Sequence, residues 1–283
     1  HRRAPRRGHR DAVTATTPDR PRARIELRAP AKLPLALRVT GVRDDGYPLI
    51  DAEMVSLDLH DLVTVTPGSS GLTASGPFSD GMPLDAGNLV MRAMDLVGTG
   101  ATAAVHLDKQ IPHGGGLGGG STDAATVLRW GGFTASPPDL QRAAVLGADI
   151  PFCLIGGRAR VRGIGEIVDP LPHIDRVVTL IIPPFTVSTP AVYRAWDELG
   201  GPVADGPNDL EPAALAVEPE LVRWRDLIGD RVGVAPVLAG SGATWFTDGE
   251  RANALGDLVD EGARVVVART VPVDVATNRS PLR

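Results

Sequence analysis

Between Pro112 and Thr122 the chain reads Pro-His-Gly-Gly-Gly-Leu-Gly-Gly-Gly-Ser-Thr, with six glycines in the seven positions from Gly114 to Gly120. A backbone without Cβ atoms can approach a ligand closely and turn several N–H groups toward one anion. The run leads into a predicted helix over 121–130, whose unpaired first N–H groups and positive dipole end favour the same charge. Ser121 and Thr122 add hydroxyls for a phosphate oxygen, and Ser121 is the candidate ligand for a Mg²⁺ bound to one. The implied chemistry is the capture of a phosphate group.

Several phosphate-handling classes are excluded at once. No Gly-Lys-Ser/Thr follows the glycines, so this is not a Walker loop. Gly114, Gly116 and Gly119 satisfy G-x-G-x-x-G, and Asp139 lies 20 residues beyond Gly119, a formal match to a dinucleotide fingerprint. A run this rich in glycine meets that pattern by composition, however, and no clear strand–helix–strand series follows it. The one His-Arg-Asp, at residues 9–11 in the basic head, lacks the Asn that completes a protein-kinase catalytic loop, and neither Asp-Phe-Gly nor the G-x-S-x-G elbow of hydrolases occurs.

Three further clusters could carry chemistry. Lys32 sits in Pro30-Ala31-Lys32-Leu33-Pro34-Leu35, and only Lys32 and Lys109 among the 29 basic residues are lysines. In so arginine-rich a chain a retained lysine marks a place where a compact ammonium is needed and a planar guanidinium does not fit. For Lys109, chance survival remains open. Asp149 lies among apolar neighbours in Leu146-Gly147-Ala148-Asp149-Ile150-Pro151-Phe152, where an unpaired acid is unfavourable. Taken alone it reads as a turn or helix-end residue. Gly240-Ser241-Gly242, before Ala243-Thr244, reads alone as an ordinary tight turn with exposed N–H groups.

Composition limits the rest. Apolar residues make up 43% and charged residues 22%, as in globular proteins. No stretch approaches the ~20 apolar residues of a membrane-spanning helix. Cys153 is the single cysteine, which excludes an intramolecular disulfide and a cysteine-cluster metal site and points to a reducing cytoplasm. Residues 1–24 hold eight arginines against Asp11 and Asp19, a local +6, so the remainder carries −11 of the total −5. That basic, proline-containing head is expected to be a disordered tail. No membrane or nucleic-acid partner is expected, the basic tail being left open, and the chain is expected to be a monomer or homodimer.

These residues need elements to hold them. Alternating apolar and polar residues over 25–66 predict strands of one sheet, interrupted at the Asp45-Gly46 turn signal. Residues 67–87 read as loops around one short strand. Asn88 caps a helix reaching Val97, and 103–107 is a strand. A helix over 137–146 opens with prolines. Farther on, 177–182 is a buried strand, 189–199 and 219–228 are helices, and 237–239 and 244–246 are strands around Gly240-Ser241-Gly242. A helix over 250–261, a last strand over 264–268 and a polar tail from 274 to 283 complete the chain. The order predicts an α+β fold of two domains, 25–160 and 161–275.

In this order the Pro-Ala-Lys segment, the Pro-x-Gly-Gly-Gly-Leu-Gly-Gly-Gly-Ser loop and the Gly-Ser-Gly-Ala-Thr turn resemble the three motifs of the GHMP family of small-molecule kinases. Val39 to Tyr47, Leu146 to Phe152, Gly156-Gly157 with Gly163-Ile164-Gly165-Glu166, and Asn208-Asp209-Leu210-Glu211-Pro212 carry the resemblance further. They point to the branch that phosphorylates a cytidine-diphosphate-linked alcohol in isoprenoid biosynthesis. The resemblance covers residues 27–270. It implies a two-domain GHMP kinase fold, with an N-terminal domain like ribosomal protein S5 domain 2 and a ferredoxin-like C-terminal domain that takes the substrate.

It also implies roles. ATP would lie on Pro112, Gly114, Gly115, Gly116, Gly118, Gly119, Gly120, Ser121 and Thr122, with Mg²⁺ between the phosphates and a hydroxyl. Asp149 would accept or orient the proton of the substrate hydroxyl, and Lys32 would stand beside it and the γ-phosphate. Tyr47 and Tyr193, the chain's two tyrosines, would sandwich the base, and Gly240, Ser241 and Gly242 would hold the substrate. The chain departs from the branch at Pro48 and Leu49, which stand where it has His and Glu, and at Pro34, which replaces an Asn. Proline offers neither a side-chain donor nor an N–H, so the reader of the base edge is lost while the phosphate machinery is kept. A different alcohol substrate, or a silent nucleotide-binding relative, are the alternatives.

Overall fold

The computed structural model describes residues 24–44, 46–100, 102–273 and 279–280; the basic head, Arg24 apart, lies outside them. Alternating residues in the first third of the chain build two long antiparallel strands, β1 (Ile25–Val42) and β2 (Pro48–Pro67). At the predicted turn the Arg43 N–H donates to the Tyr47 carbonyl at 2.8 Å, and Gly46 takes a φ of +85°. β1 is not regular. Its register slips between Pro30 and Lys32 and again between Pro34 and Ala36. Proline cannot donate to a ladder, and bulges are where a strand absorbs it. Lys32 is therefore set between two bends of the strand.

β2 is long enough to hold several partners along its length. Besides β1 it pairs with β4 (Ala103–Asp108) near its end, with β5 (Arg158–Gly163) near its start, and with β10 (Arg264–Val271) at Ser56 and Leu57. β3 (Gly71–Ser75) joins β4 in parallel, and β6 (Ile167–Leu171) joins β5. β10 continues into a second group, β7 (Val177–Ile182), β9 (Trp245–Asp248) and β8 (Val237–Leu238), all antiparallel. With β3–β4 the only parallel pair of named strands among the described residues, a doubly wound dinucleotide fold is ruled out. Asp139 lies instead in the first turn of the helix over 137–146, accepting from the Thr134 N–H and hydroxyl at 2.9 Å.

Helices cover the sheets. α1 (Leu89–Leu96), α2 (Gly119–Trp130), α3 (Pro137–Leu146) and α4 (Ile150–Ile155) belong to the first half; α5 (Thr189–Glu198), α6 (Glu211–Val217) and α7 (Glu220–Val232) to the second. α2 is central, packed on β1, β2, α1 and α4, and Ala124, Ala125, Val127 and Leu128 are fully buried. Small residues at those positions let the helix approach its neighbours from every side.

Three expectations are corrected. α2 starts at Gly119 rather than 121, because Gly118 at φ +70° serves as its N-cap. Ala252–Val259 is a 3₁₀ segment, where Asn253, Gly256 and Asp257 weaken the α-helix. The polar end of the chain includes a two-residue strand, β11 (Arg279–Ser280), on the free edge of β1. The first sheet runs across residue 160, through β5, and with β6 continues to Leu171. No described helix is long and apolar enough to cross a membrane.

Candidate active site

The glycine run forms a loop that the third motif and β1 hold from two sides. The Lys32 N–H donates to the Leu117 carbonyl at 3.0 Å, and the Thr244 N–H to the Gly115 carbonyl at 3.3 Å. Gly116, at φ +77°, lies so near the second turn that a Cβ there would sit 2.0 Å from the Ala239 carbonyl oxygen. On Gly118 a Cβ would sit 2.6 Å from Lys32 Cγ. Two approaches of this kind need glycine for space as well as for φ.

Over this loop Lys32 Nζ and Asp149 Oδ2 stand 3.0 Å apart, although 117 residues separate them in the chain (149 − 32). Lys32 comes from the bent middle of β1. Asp149 is the N-cap residue of α4, directly after Ala148, whose carbonyl packs so tightly against Gly165 that a Cβ there would lie 2.1 Å away. The Lys32 side chain is 7% exposed and that of Asp149 30%, so the acid is the partner that solvent or a substrate can reach. Behind the pair, the thiol of Cys153 is buried; desolvation, with the negative charge of Asp149 adding to it, pushes its pKa up to about 12.

The pair opens on a cleft of about 420 Å³ whose wall includes Pro112, His113, residues 114–116 and residues 118–121. Gly240 and Ser241 line it too, a Cβ on Gly240 lying 4.0 Å from Lys32 Nζ. The Ser241 hydroxyl is held by Thr189 Oγ1 at 2.7 Å, and Asn208 Nδ2 donates to the Leu238 and Gly240 carbonyls at 2.9 and 2.7 Å. Next to it, Asp209 ties the second half of the chain to β1, accepting from Arg38 at 2.7 Å and from the Val39 and Ala204 N–H groups at 3.0 Å. Two expected residues turn away from the cleft. Thr122 is buried and its hydroxyl meets the Cys153 thiol, because it lies on the inward face of α2. Gly242 is outside the lining and shapes the turn through its N–H bond to the Ala239 carbonyl.

A second cavity, about 410 Å³, adjoins the first and shares Ile50, Ala148, Thr189 and Tyr193 with it. Tyr47 and Tyr193 both line it, with Pro48, Ile164 and Pro190 between them. Tyr47 is 57% exposed, with the Arg43 guanidinium 5.5 Å from its ring centre. Tyr193 is largely buried; desolvation and the charge of Asp149 raise the pKa of its phenol. The cavity is lined by rings, prolines and aliphatic groups. Its one other hydroxyl, on Thr189, is already engaged with Ser241.

Among the described residues no three His, Cys, Asp or Glu side chains gather to hold a metal. A hydroxyl of the kind Mg²⁺ takes as one of its few protein oxygens, that of Ser121, lies on the cleft wall at the start of α2.

One cluster escaped the sequence reading. Lys109 is buried between Asp61 and Asp123, with its Nζ 2.6 Å from Asp123 Oδ2 and bonded to Asp61 Oδ2. Desolvation raises the pKa of both acids, that of Asp123 to about 7. The only sign of it in the sequence was the rarity of lysine.

The profile of the N-terminal domain of GHMP kinases matches residues 88–157. A 4-diphosphocytidyl-2-C-methyl-D-erythritol kinase of Paracoccus denitrificans (strain Pd 1222) is 40% identical over 237 residues, covering 77% of this chain and 84% of its own. One from Ruegeria pomeroyi is 36% identical over 264 residues, covering 83% and 94%. Among solved structures, a 4-(cytidine 5'-diphospho)-2C-methyl-D-erythritol kinase superposes with a TM-score of 0.68 at 30% identity, over 87% of this chain and 99% of its own. A mevalonate kinase shares the fold alone, with a TM-score of 0.55 at 12% identity over 88% of this chain and 99% of its own.

Proposed function

Because the chain belongs to the 4-diphosphocytidyl-2-C-methyl-D-erythritol kinases of the GHMP family, we propose that it transfers the γ-phosphoryl group of ATP to the hydroxyl of that cytidyl-linked alcohol. The chain is an ATP-dependent small-molecule kinase. The observation that carries the substrate chemistry is the Lys32–Asp149 pair, 3.0 Å apart at the mouth of a glycine loop.

Phosphoryl transfer asks for alignment and charge neutralisation more than for covalent chemistry. The N–H groups of the glycine loop and of the first turn of α2 receive the β- and γ-phosphates. Lys32 faces the γ-phosphoryl oxygens and offsets their charge as it moves. Asp149, the more exposed partner, takes or orients the proton of the attacking hydroxyl. A bond forms between that oxygen and the γ-phosphorus, the bond from the γ-phosphorus to the β,γ-bridging oxygen breaks, and ADP leaves with the electron pair. Ser121 would hold Mg²⁺ arriving with the nucleotide, and the ion would neutralise phosphate oxygens. The base would lie between Tyr47 and Tyr193, in the cavity that adjoins the phosphate cleft. A cytoplasmic enzyme fits the single buried thiol.

Uridyl-linked alcohols are the second reading, because the slot carries no amide, carboxylate or cation among its described lining side chains to read a base edge. The test is ADP release with cytidyl- and uridyl-linked methylerythritol, homoserine and mevalonate. Release with a nucleotide-linked alcohol is expected, and no release with any of them would refute the assignment.

A further inference from the structure

Lys109, Asp61 and Asp123 form a buried ionic cluster that the transfer chemistry does not use. All three are at most 1% exposed. Two carboxylates and one ammonium out of water are unfavourable to stability, and such clusters are often replaceable by apolar residues at no loss. Their contacts, however, converge on the root of the glycine loop. Asp61 Oδ1, on β2, accepts from the N–H groups of Gln110 at 2.5 Å and Ile111 at 2.8 Å, the last residues before Pro112. Asp123 belongs to α2, where the loop ends. The two ends of the loop meet over the ammonium: a Cβ on Gly119 would lie 3.1 Å from Ile111 Cγ2 and 3.3 Å from Lys109 Nζ. A guanidinium would not fit in that space, which gives a reason for a lysine in a chain that otherwise uses arginine.

We propose that Lys109, bridging Asp61 and Asp123, is a positioning residue for phosphoryl transfer: it pins the entry of the glycine loop at Gln110–Ile111 to its exit at α2, and so sets where the loop's N–H groups point. This rests on the reading of the loop as the cradle of the ATP phosphates. None of the three side chains lines the cleft, so the effect reaches the nucleotide through the loop backbone. Asp123 Oδ1 has no hydrogen-bond partner although buried, while its Oδ2 accepts from Lys109.

The test uses the full chain and three substitutions, Asp123→Ala, Asp123→Asn and Lys109→Arg. The probe is the magnesium complex of AMP-PNP, titrated calorimetrically, with KM for ATP and for the alcohol measured in parallel. Asp123→Ala leaves a neutral Lys109–Asp61 pair, so folding and melting temperature are expected to hold. AMP-PNP affinity and KM for ATP are expected to worsen tenfold or more, with KM for the alcohol within twofold. Asp123→Asn, which keeps an acceptor of the same shape, is expected to restore affinity to within threefold of the wild type. Lys109→Arg is expected to behave as Asp123→Ala. Unchanged affinity in Asp123→Ala, failure of Asp123→Asn to restore it, or a loss confined to the active fraction with both KM values unchanged would each overturn the proposal. If the wild type itself does not bind AMP-PNP, the cradle reading fails first, and that failure shows before any variant is made.

Discussion

Gly118→Ala tests the coupling between the glycine loop and the reacting pair. Gly118 sits at φ +70°, and its would-be Cβ lies 2.6 Å from Lys32 Cγ and 3.0 Å from Cε. Two effects follow. An L-residue in the left-handed region costs about 1–2 kcal/mol. Carbon atoms pack at roughly 3.5–4.0 Å, so the lysine stem must also yield by about 1 Å. That stem is buried and its ammonium is tied to Asp149, so the displacement passes to the pair. A misplacement of about 1 Å costs roughly 10²-fold in rate, or about 2.7 kcal/mol of barrier. Gly132→Ala separates the two effects, since Gly132 lies at φ +97° with nothing within 4 Å of a Cβ. Both variants are expected to melt about 2–8 °C lower, at about 2–4 °C per kcal/mol. Only Gly118→Ala is expected to lose turnover, measured as initial ADP release at saturating ATP. Gly118→Ala turning over within threefold of wild type, or Gly132→Ala losing as much, would refute the coupling.

Asp149→Asn is expected to lower kcat by about 10²–10⁴, the range of proton-transfer assistance, with the AMP-PNP dissociation constant within threefold; full turnover would remove Asp149 from the chemistry. Tyr47→Ala should raise KM for the nucleotide-linked alcohol about 5- to 150-fold, the loss of one stacked face at ~1–3 kcal/mol, with kcat held; an unchanged KM would count against stacking. Cys153, its pKa pushed up to about 12 by burial, should resist Ellman's reagent at pH 8 in the native state and react fully in urea. The raised pKa of Asp123, about 7 when folded against 3.8 when free, means the folded protein holds that proton more tightly. Its contribution to stability is present in full below pH 4 and lost as pH rises toward 7. Stability of Asp123→Asn relative to wild type should therefore climb from pH 4 to pH 7, and a flat difference would contradict the assignment.

What the sequence revealed and what it hid divide by distance along the chain. The hairpin closed by Arg43 and Tyr47, the Asn88 cap and the glycine loop are local: each depends on φ preferences and hydrogen bonds spanning a few residues, and each is legible in the sequence. The 3₁₀ segment was misread because periodicity alone does not separate a tight helix from an α-helix when both bury Leu255 and Leu258. Lys32 and Asp149 come together in the sequence reading only through the resemblance, since they lie 117 positions apart and neither flank predicts the other. Lys109 was missed for a related reason: Asp61 lies 48 residues before it and Asp123 14 after it, and they meet only once β2 pairs with β4 and α2 folds back over the sheet.

The prolines show how one residue can be harmless to the fold and decisive for the chemistry. Pro30 and Pro34 would break a regular central strand, yet the slips that absorb them fall on either side of Lys32. Bulges re-aim a side chain, so the residues least suited to a strand are the ones that turn the lysine toward Asp149. Pro34 itself approaches the third motif, its Cγ 3.7 Å from a Cβ on Gly240, and fills that space with carbon where a polar residue could have reached the substrate. Pro48 opens β2 opposite Val42, at the end of the ladder where a missing N–H disturbs little. At the same point it lines the slot between the two tyrosines and has no N–H to offer the base proposed to lie there. In the proposed site, phosphate binding and base recognition thus fall to separate elements, the glycine loop with α2 on one side and the β1–β2 turn with α5 on the other. Substitutions at the turn can relax which base is accepted without moving the groups that transfer the phosphoryl.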